Sequence, residues 1–152
     1  MKSLIIYKSI HHGNTEKIAK IMSGALEADL LDLKDVSAEI IDEYDLIGFG
    51  SGVYYKKPHK KLLEFIDSLD YMENKEAFIF STGGGAKAEN FNGFLKGKLS
   101  EKGFKIIDEF HCKGLSTFGP LKIVGGINKG RPDDEDFKNA KIFAVDLKEK
   151  IK

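Results

Sequence analysis

Short continuous apolar runs alternate along this chain with segments whose apolar residues recur every three or four positions. Leu4-Ile5-Ile6-Tyr7, Leu46 to Gly50 and Ala77-Phe78-Ile79-Phe80-Ser81 are too short for helices and have no polar side. They read as strands buried on both faces of a sheet. Asp29-Leu30-Leu31-Asp32-Leu33 alternates, which predicts a half-exposed strand near an edge, and 105–112 predicts a fifth strand.

Between the strands, Ile18, Ile21, Met22 and Ala25 fall on one helical face. The same holds for Leu62, Phe65, Ile66 and Leu69, for Phe91, Phe94, Leu95 and Leu99, and for Phe137, Ala140, Ala144, Leu147 and Ile151. A further short helix is expected over 35–41. Pro58 suits the first turn of the helix after the third strand. Gly103 ends the next helix, and the last opens near Asp133, with acidic residues crowding its first turn as the helix dipole prefers. Five strands alternating with about five helices predict an α/β fold: one domain over 1–152, a parallel sheet with helices on both faces.

In such sheets ligands bind beyond the carboxyl ends of the strands, where strand order reverses. Three loops of special composition leave those ends: Ser9–Thr15, Ser51–Lys57 and Thr82–Asn90. In the order 2-1-3-4-5 they lie side by side. The first contains Gly13 and runs into a helix, and a helix N-terminus attracts anions because its first amides have no partner within the helix. Asn14 or Thr15 is expected to cap that helix and donate to a phosphate oxygen. Gly13 stands alone, so the loop matches neither the Walker pattern nor the dinucleotide fingerprint.

Composition narrows the classes. With 24 basic and 24 acidic residues the formal net charge is zero, so no global field recommends nucleic acid or an anionic membrane. Hydrophobic content of 41% and charged content of 32% match a soluble globular protein. The chain enters its first strand at once and holds no long apolar run, so neither a signal peptide nor a membrane span is expected. Cys112 is the sole cysteine, which excludes disulfide scaffolds and multi-cysteine metal sites and points to a reducing cytoplasm. At a strand end Cys112 reads as a small hydrophobe rather than a redox thiol. His59 and His111 have no second ligand at metal spacing and read as structural or exposed.

At these residues the chain resembles the flavodoxin family, over essentially its whole length. The resemblance implies a flavodoxin-like three-layer sandwich with FMN between the first and third strands, a placement that belongs to the family. Gly13-Asn14-Thr15-Glu16 is similar to the family's phosphate cradle, which implies FMN contacts at Ser9, His11, His12, Gly13, Asn14 and Thr15. Phe49-Gly50-Ser51-Gly52-Val53-Tyr54-Tyr55 looks like the loop that lays an aromatic against the isoalloxazine ring. It implies contacts from Ser51, Gly52 and Val53, stacking by Tyr54, and Tyr55 as a substitute. Thr82-Gly83-Gly84-Gly85 lies where the family wraps the pyrimidine edge with backbone donors. Stacking adds about 0.5–1.5 kcal/mol beyond area burial, whereas nanomolar binding takes roughly 12 kcal/mol. All three loops must therefore act together.

The departures are equally specific. His11 and His12 stand where flavodoxins carry small hydroxyl residues. Either they donate to the phosphate, making cofactor affinity fall as pH rises through the histidine range, or they face solvent. Tyr55 occupies the place of a flexible residue, often glycine, and resists positive φ, which implies weaker stabilisation of the one-electron-reduced flavin. Lys56, Lys57, Lys60 and Lys61 read as a wet helix entrance, near enough to favour an anionic reduced ring modestly. The glycine loop offers only Gly, Ala and Lys before Asn90, so one flavin face is left open unless another segment covers it. The irregular stretch 113–132 is the candidate cover, or a partner surface.

Two readings remain. One is an FMN-binding carrier moving electrons between redox partner proteins. The other is an FMN-dependent reductase or oxidase acting on a quinone or porphyrin-type substrate. The neutral charge departs from the acidic habit of the carriers, while no paired acid and base marks an enzyme. A signalling receiver is set aside because Lys8, Ser9 and Ser51 stand where its acidic residues belong.

Overall fold

The computed structural model describes residues 1–9, 13–52, 58–83, 88–112 and 132–151, with side chains left out at 88–91. Its strands are β1 (Ser3–Lys8), β2 (Asp29–Asp32), β3 (Leu46–Gly52), β4 (Glu76–Thr82) and β5 (Lys105–Cys112). Its helices are α1 (Asn14–Leu26), α2 (Lys60–Asp67), α3 (Ala88–Glu101) and α4 (Asp134–Lys150). The strands pair in parallel in the order β2-β1-β3-β4-β5, with a register shift between Ala77 and Phe78. This is the flavodoxin-like arrangement expected above.

Each side of the sheet has its own core. Leu4, Ile6, Ile47, Phe49 and Ile79 pack with Leu62 and Ile66 of α2 and Leu95 and Leu99 of α3. Ile5, Tyr7, Leu46, Phe78 and Phe80 pack with Ile18 and Met22 of α1 and Ala140, Ala144 and Leu147 of α4. The apolar runs are continuous because alternate residues serve opposite cores. Gly48 and Gly50 of β3 stand beside Phe78 and Phe80 of β4. A Cβ on Gly50 would lie 2.1 Å from the Phe80 ring, so that ring occupies the space a side chain would need.

Several expectations are corrected. The short helix expected over 35–41 is displaced and wound more tightly: 3-10 helices run over Leu33–Asp35 and Ala38–Glu43, with no α-helix between. The Asp32 side chain takes the amide of Lys34 at 3.1 Å, and Val36 returns to extended backbone. That bond caps the first 3-10 helix, and the extended Val36 separates it from the second. Pro58 lies outside the first turn of α2, whose N-cap is His59. Phe94 is 38% exposed, because α3 buries Asn92, Leu95 and Leu99 and Phe94 sits about 100° around from Leu95. Asp133 caps α4 through a reciprocal pair: its side chain accepts from the Asp136 amide, and Asp136 accepts from the Asp133 amide.

Candidate functional site

Strand register brings the three loop entrances together. Lys8, which leads into Ser9, pairs with Ser51, and Gly52 pairs with Thr82. Thr82 pairs in turn with Cys112. The chain therefore leaves β1, β3, β4 and β5 at one end of the sheet. Ser51, Thr82 and Thr15 are all buried there.

At the first entrance the expected cap is corrected. Neither Asn14 nor Thr15 caps α1; Gly13 holds the N-cap position at φ 66° and makes no side-chain cap bond. A left-handed residue at this point favours glycine. The turn is drawn in by Ser9, whose Oγ accepts from the Glu16 amide at 3.4 Å. That bond is long, and a charged acceptor at the turn would make a stronger one. Burial first, then the Glu16, Asp32 and Asp35 charges, pushes the phenol of Tyr7 up.

Thr15 has another task. Its Oγ lies 2.8 Å from Oγ of Thr82, both residues 2% exposed. This bond ties the start of α1 to the end of β4 across the sheet. If Thr82 donates, the Thr15 proton is left for a further acceptor at the turn.

At the second entrance Ser51 pins both ends of the aromatic loop. Its Oγ donates to the Gly52 carbonyl at 2.7 Å and accepts from the His59 amide at 3.2 Å. His59 then caps α2, its Nδ1 accepting from the Lys61 amide at 3.0 Å. An accepting Nδ1 carries no proton, so the cap uses neutral imidazole. Burial first, then the Lys8 and Lys61 charges, lowers the pKa of this ring. Sequence reasoning missed the cap because histidine lies outside the usual Ser, Thr, Asp and Asn set.

At the third entrance the Gly83 amide donates to the Cys112 carbonyl at 3.1 Å. Beneath it Ser81 Oγ donates to Asn92 Oδ1 at 3.1 Å and meets His111 Nδ1 at 2.7 Å. One hydroxyl has one proton, so His111 Nδ1–H is the donor to Ser81. Burial alone lowers the pKa of His111. His111 is thus structural, as expected, and it joins β5 to β4 and α3. Cys112 is buried.

Of the fifteen predicted contacts, Ser9, Gly13, Asn14, Thr15, Ser51, Gly52, Thr82 and Gly83 are thereby gathered at one sheet end. His11, His12, Val53, Tyr54, Tyr55, Gly84 and Gly85 lie outside the described residues, as does 113–131. Among the described residues no three His, Cys, Asp or Glu side chains converge to hold a metal. No helix among them is long and apolar enough to cross a membrane.

The flavodoxin domain family model matches residues 4–115. The chain belongs to the flavodoxin family. An uncharacterized protein of Methanocaldococcus jannaschii is 52% identical over 148 residues, covering 97% of this chain and 98% of that one. A flavodoxin of Clostridium saccharobutylicum is 26% identical over 162 residues, covering 100% of this chain and 98% of that one. The crystal structure of oxidised flavodoxin 2 from Bacillus cereus superposes with a TM-score of 0.74 at 22% identity, over 99% of both chains. That likeness concerns the fold.

Proposed function

We propose that this flavodoxin-family chain binds FMN at the converging ends of β1, β3 and β4 and passes electrons between redox partner proteins. The Thr15–Thr82 bond carries the reading, since it sets the phosphate turn and the glycine loop at hydrogen-bonding distance. The residues present fit the cofactor. The first-turn amides of a helix have no acceptor within it, and that of Glu16 reaches Ser9 Oγ only over a long contact. In this reading the amides of Thr15 and Glu16, with Ser9 and Asn14, take the phosphate. Ser51 and Gly52 set the root of the loop that carries Tyr54 and Tyr55. Gly83, fixed by its bond to Cys112, begins the segment that meets the ring edge. FMN supplies one- or two-electron transfer, and the protein supplies orientation and surrounding charge.

The zero net charge favours a second reading, since it gives little long-range steering toward a charged carrier partner. In that reading the chain is an FMN-dependent reductase or oxidase with a quinone or porphyrin-type substrate. One experiment separates the two: FMN titration of the purified protein, then spectra during stepwise reduction. Saturable binding followed by a persistent one-electron-reduced spectrum supports the carrier. Direct two-electron bleaching by a nicotinamide without added reductase supports the enzyme. A protein that leaves added FMN unperturbed defeats both.

A further inference from the structure

A cavity of about 400 Å³ opens beside the candidate cofactor site, on the α2 side of the sheet. Its walls come from the end of β1, the 33–38 segment and the outer face of α2. That volume lies within the range of small-molecule sites. Leu33, Val36 and Phe65 give it an apolar floor, and none of the three is fully buried by the protein itself. Lys8, Lys34 and Lys61 stand around that floor.

Among the charged side chains that line the cavity, three are lysines and one is a carboxylate. None of these lysines forms an ion pair with a carboxylate among the described residues. The acid lining the cavity, Glu64, faces Lys60 at 3.9 Å. Lys8 and Lys61 are also close enough to lower the pKa of His59. Lys60 and Lys61 open α2 without an acidic residue in its first turn, the reverse of what the helix dipole favours. An apolar floor ringed by such cations is complementary to an apolar molecule bearing an anionic head. The body displaces water from Leu33, Val36 and Phe65, and the head relieves the repulsion among the lysines.

We propose that this cavity binds a small organic anion with an apolar body, at a site separate from the cofactor's. The lysine ammonium groups hold the head, and the 33–38 segment and Phe65 hold the body.

The test uses the full chain, with and without saturating FMN. The probes are 1-anilinonaphthalene-8-sulfonate and its uncharged parent N-phenyl-1-naphthylamine, followed by fluorescence and by amide shifts in NMR spectra. The expected result is saturable sulfonate binding with shifts confined to 33–38 and 61–68, retained with FMN present, and at least about tenfold weaker binding of the uncharged parent. Lys34→Glu and Lys61→Glu alter exposed side chains and should each weaken the sulfonate about tenfold, with sensitivity to salt. Equal binding of both probes, shifts clustered at 13–16 and 82–83, or indifference to both reversals overturns the proposal. Because the shifts are read without FMN as well, sulfonate binding at this cavity is decided even in a protein that ignores FMN.

Discussion

The bond between Thr15 and Thr82 can be isolated with a double-mutant cycle. The two hydroxyls are 2.8 Å apart, buried, and 67 residues apart in sequence. Thr82→Val keeps the shape of the side chain but leaves the Thr15 hydroxyl facing an apolar methyl. A buried polar group deprived of its partner costs about 1–3 kcal/mol. Thr15→Val strands Thr82 in the same way. Replacing both removes the bond and both desolvation penalties together, which is close to neutral when shape is kept. The singles should therefore each lower Tm by roughly 2–12 °C, taking about 2–4 °C per kcal/mol for a domain of this size. The double variant should sit closer to wild type than either single, and with a near-neutral double the coupling energy approaches the sum of the two single losses, about 2–6 kcal/mol.

The assay is chemical denaturation of the four proteins, read as midpoint and slope. An unchanged slope keeps the comparison on stability alone. Additive losses in the double variant would show that the hydroxyls are not coupled. FMN titration of the same four proteins gives an independent reading. The double variant should recover stability but not affinity, because the two loops then lack the contact that sets their spacing.

Two further outcomes follow from the described residues. Gly50→Ala drives a methyl into the Phe80 ring and should destabilise by about 1–3 kcal/mol, with partial recovery when Phe80→Leu is added; a Tm unchanged by Gly50→Ala alone would contradict the close approach. His59 and His111 both have lowered pKa values when folded, so the unfolded chain binds their protons first. Stability should therefore fall as pH drops below the ordinary histidine range and level off below the folded values, and His59→Asn, which keeps a cap without titrating, should flatten part of that slope in denaturant titrations at pH 5 to 8.

The architecture was legible because burial on both sides leaves a plain mark: an apolar run with no polar side. Such runs gave β1, β3 and β4, and the alternating Asp29–Asp32 gave an edge strand. Two of the misreadings involve side-chain hydrogen bonds that periodicity does not register. Asp32 caps a 3-10 turn through the Lys34 amide, Val36 returns to extended backbone, and the expected helix is displaced to Ala38–Glu43. Asn92 joins the Ser81 network, so the buried face of α3 includes it while Phe94 is left 38% exposed. Periodicity weighs residue types and cannot register a polar side chain whose partner lies on another strand.

The candidate site was legible as three loops but not as a device, for the same reason. Ser9, Thr15, Ser51 and Thr82 look like ordinary polar residues at strand ends. Folded, each spends its hydroxyl on holding a loop: Ser9 on the α1 turn, Ser51 on both ends of the aromatic loop, and Thr15 and Thr82 on each other. Small hydroxyl side chains suit this work because they donate and accept at once with little rotamer entropy to lose. A cofactor site that must hold a phosphate, a ring face and a ring edge in fixed relation needs such cross-links before any ligand arrives, because binding that also had to order three loops would be correspondingly weaker. In the proposed function the strand-end hydroxyls should therefore affect affinity more by holding the loops than by touching the cofactor, and the Thr15–Thr82 cycle is where that ranking is decided.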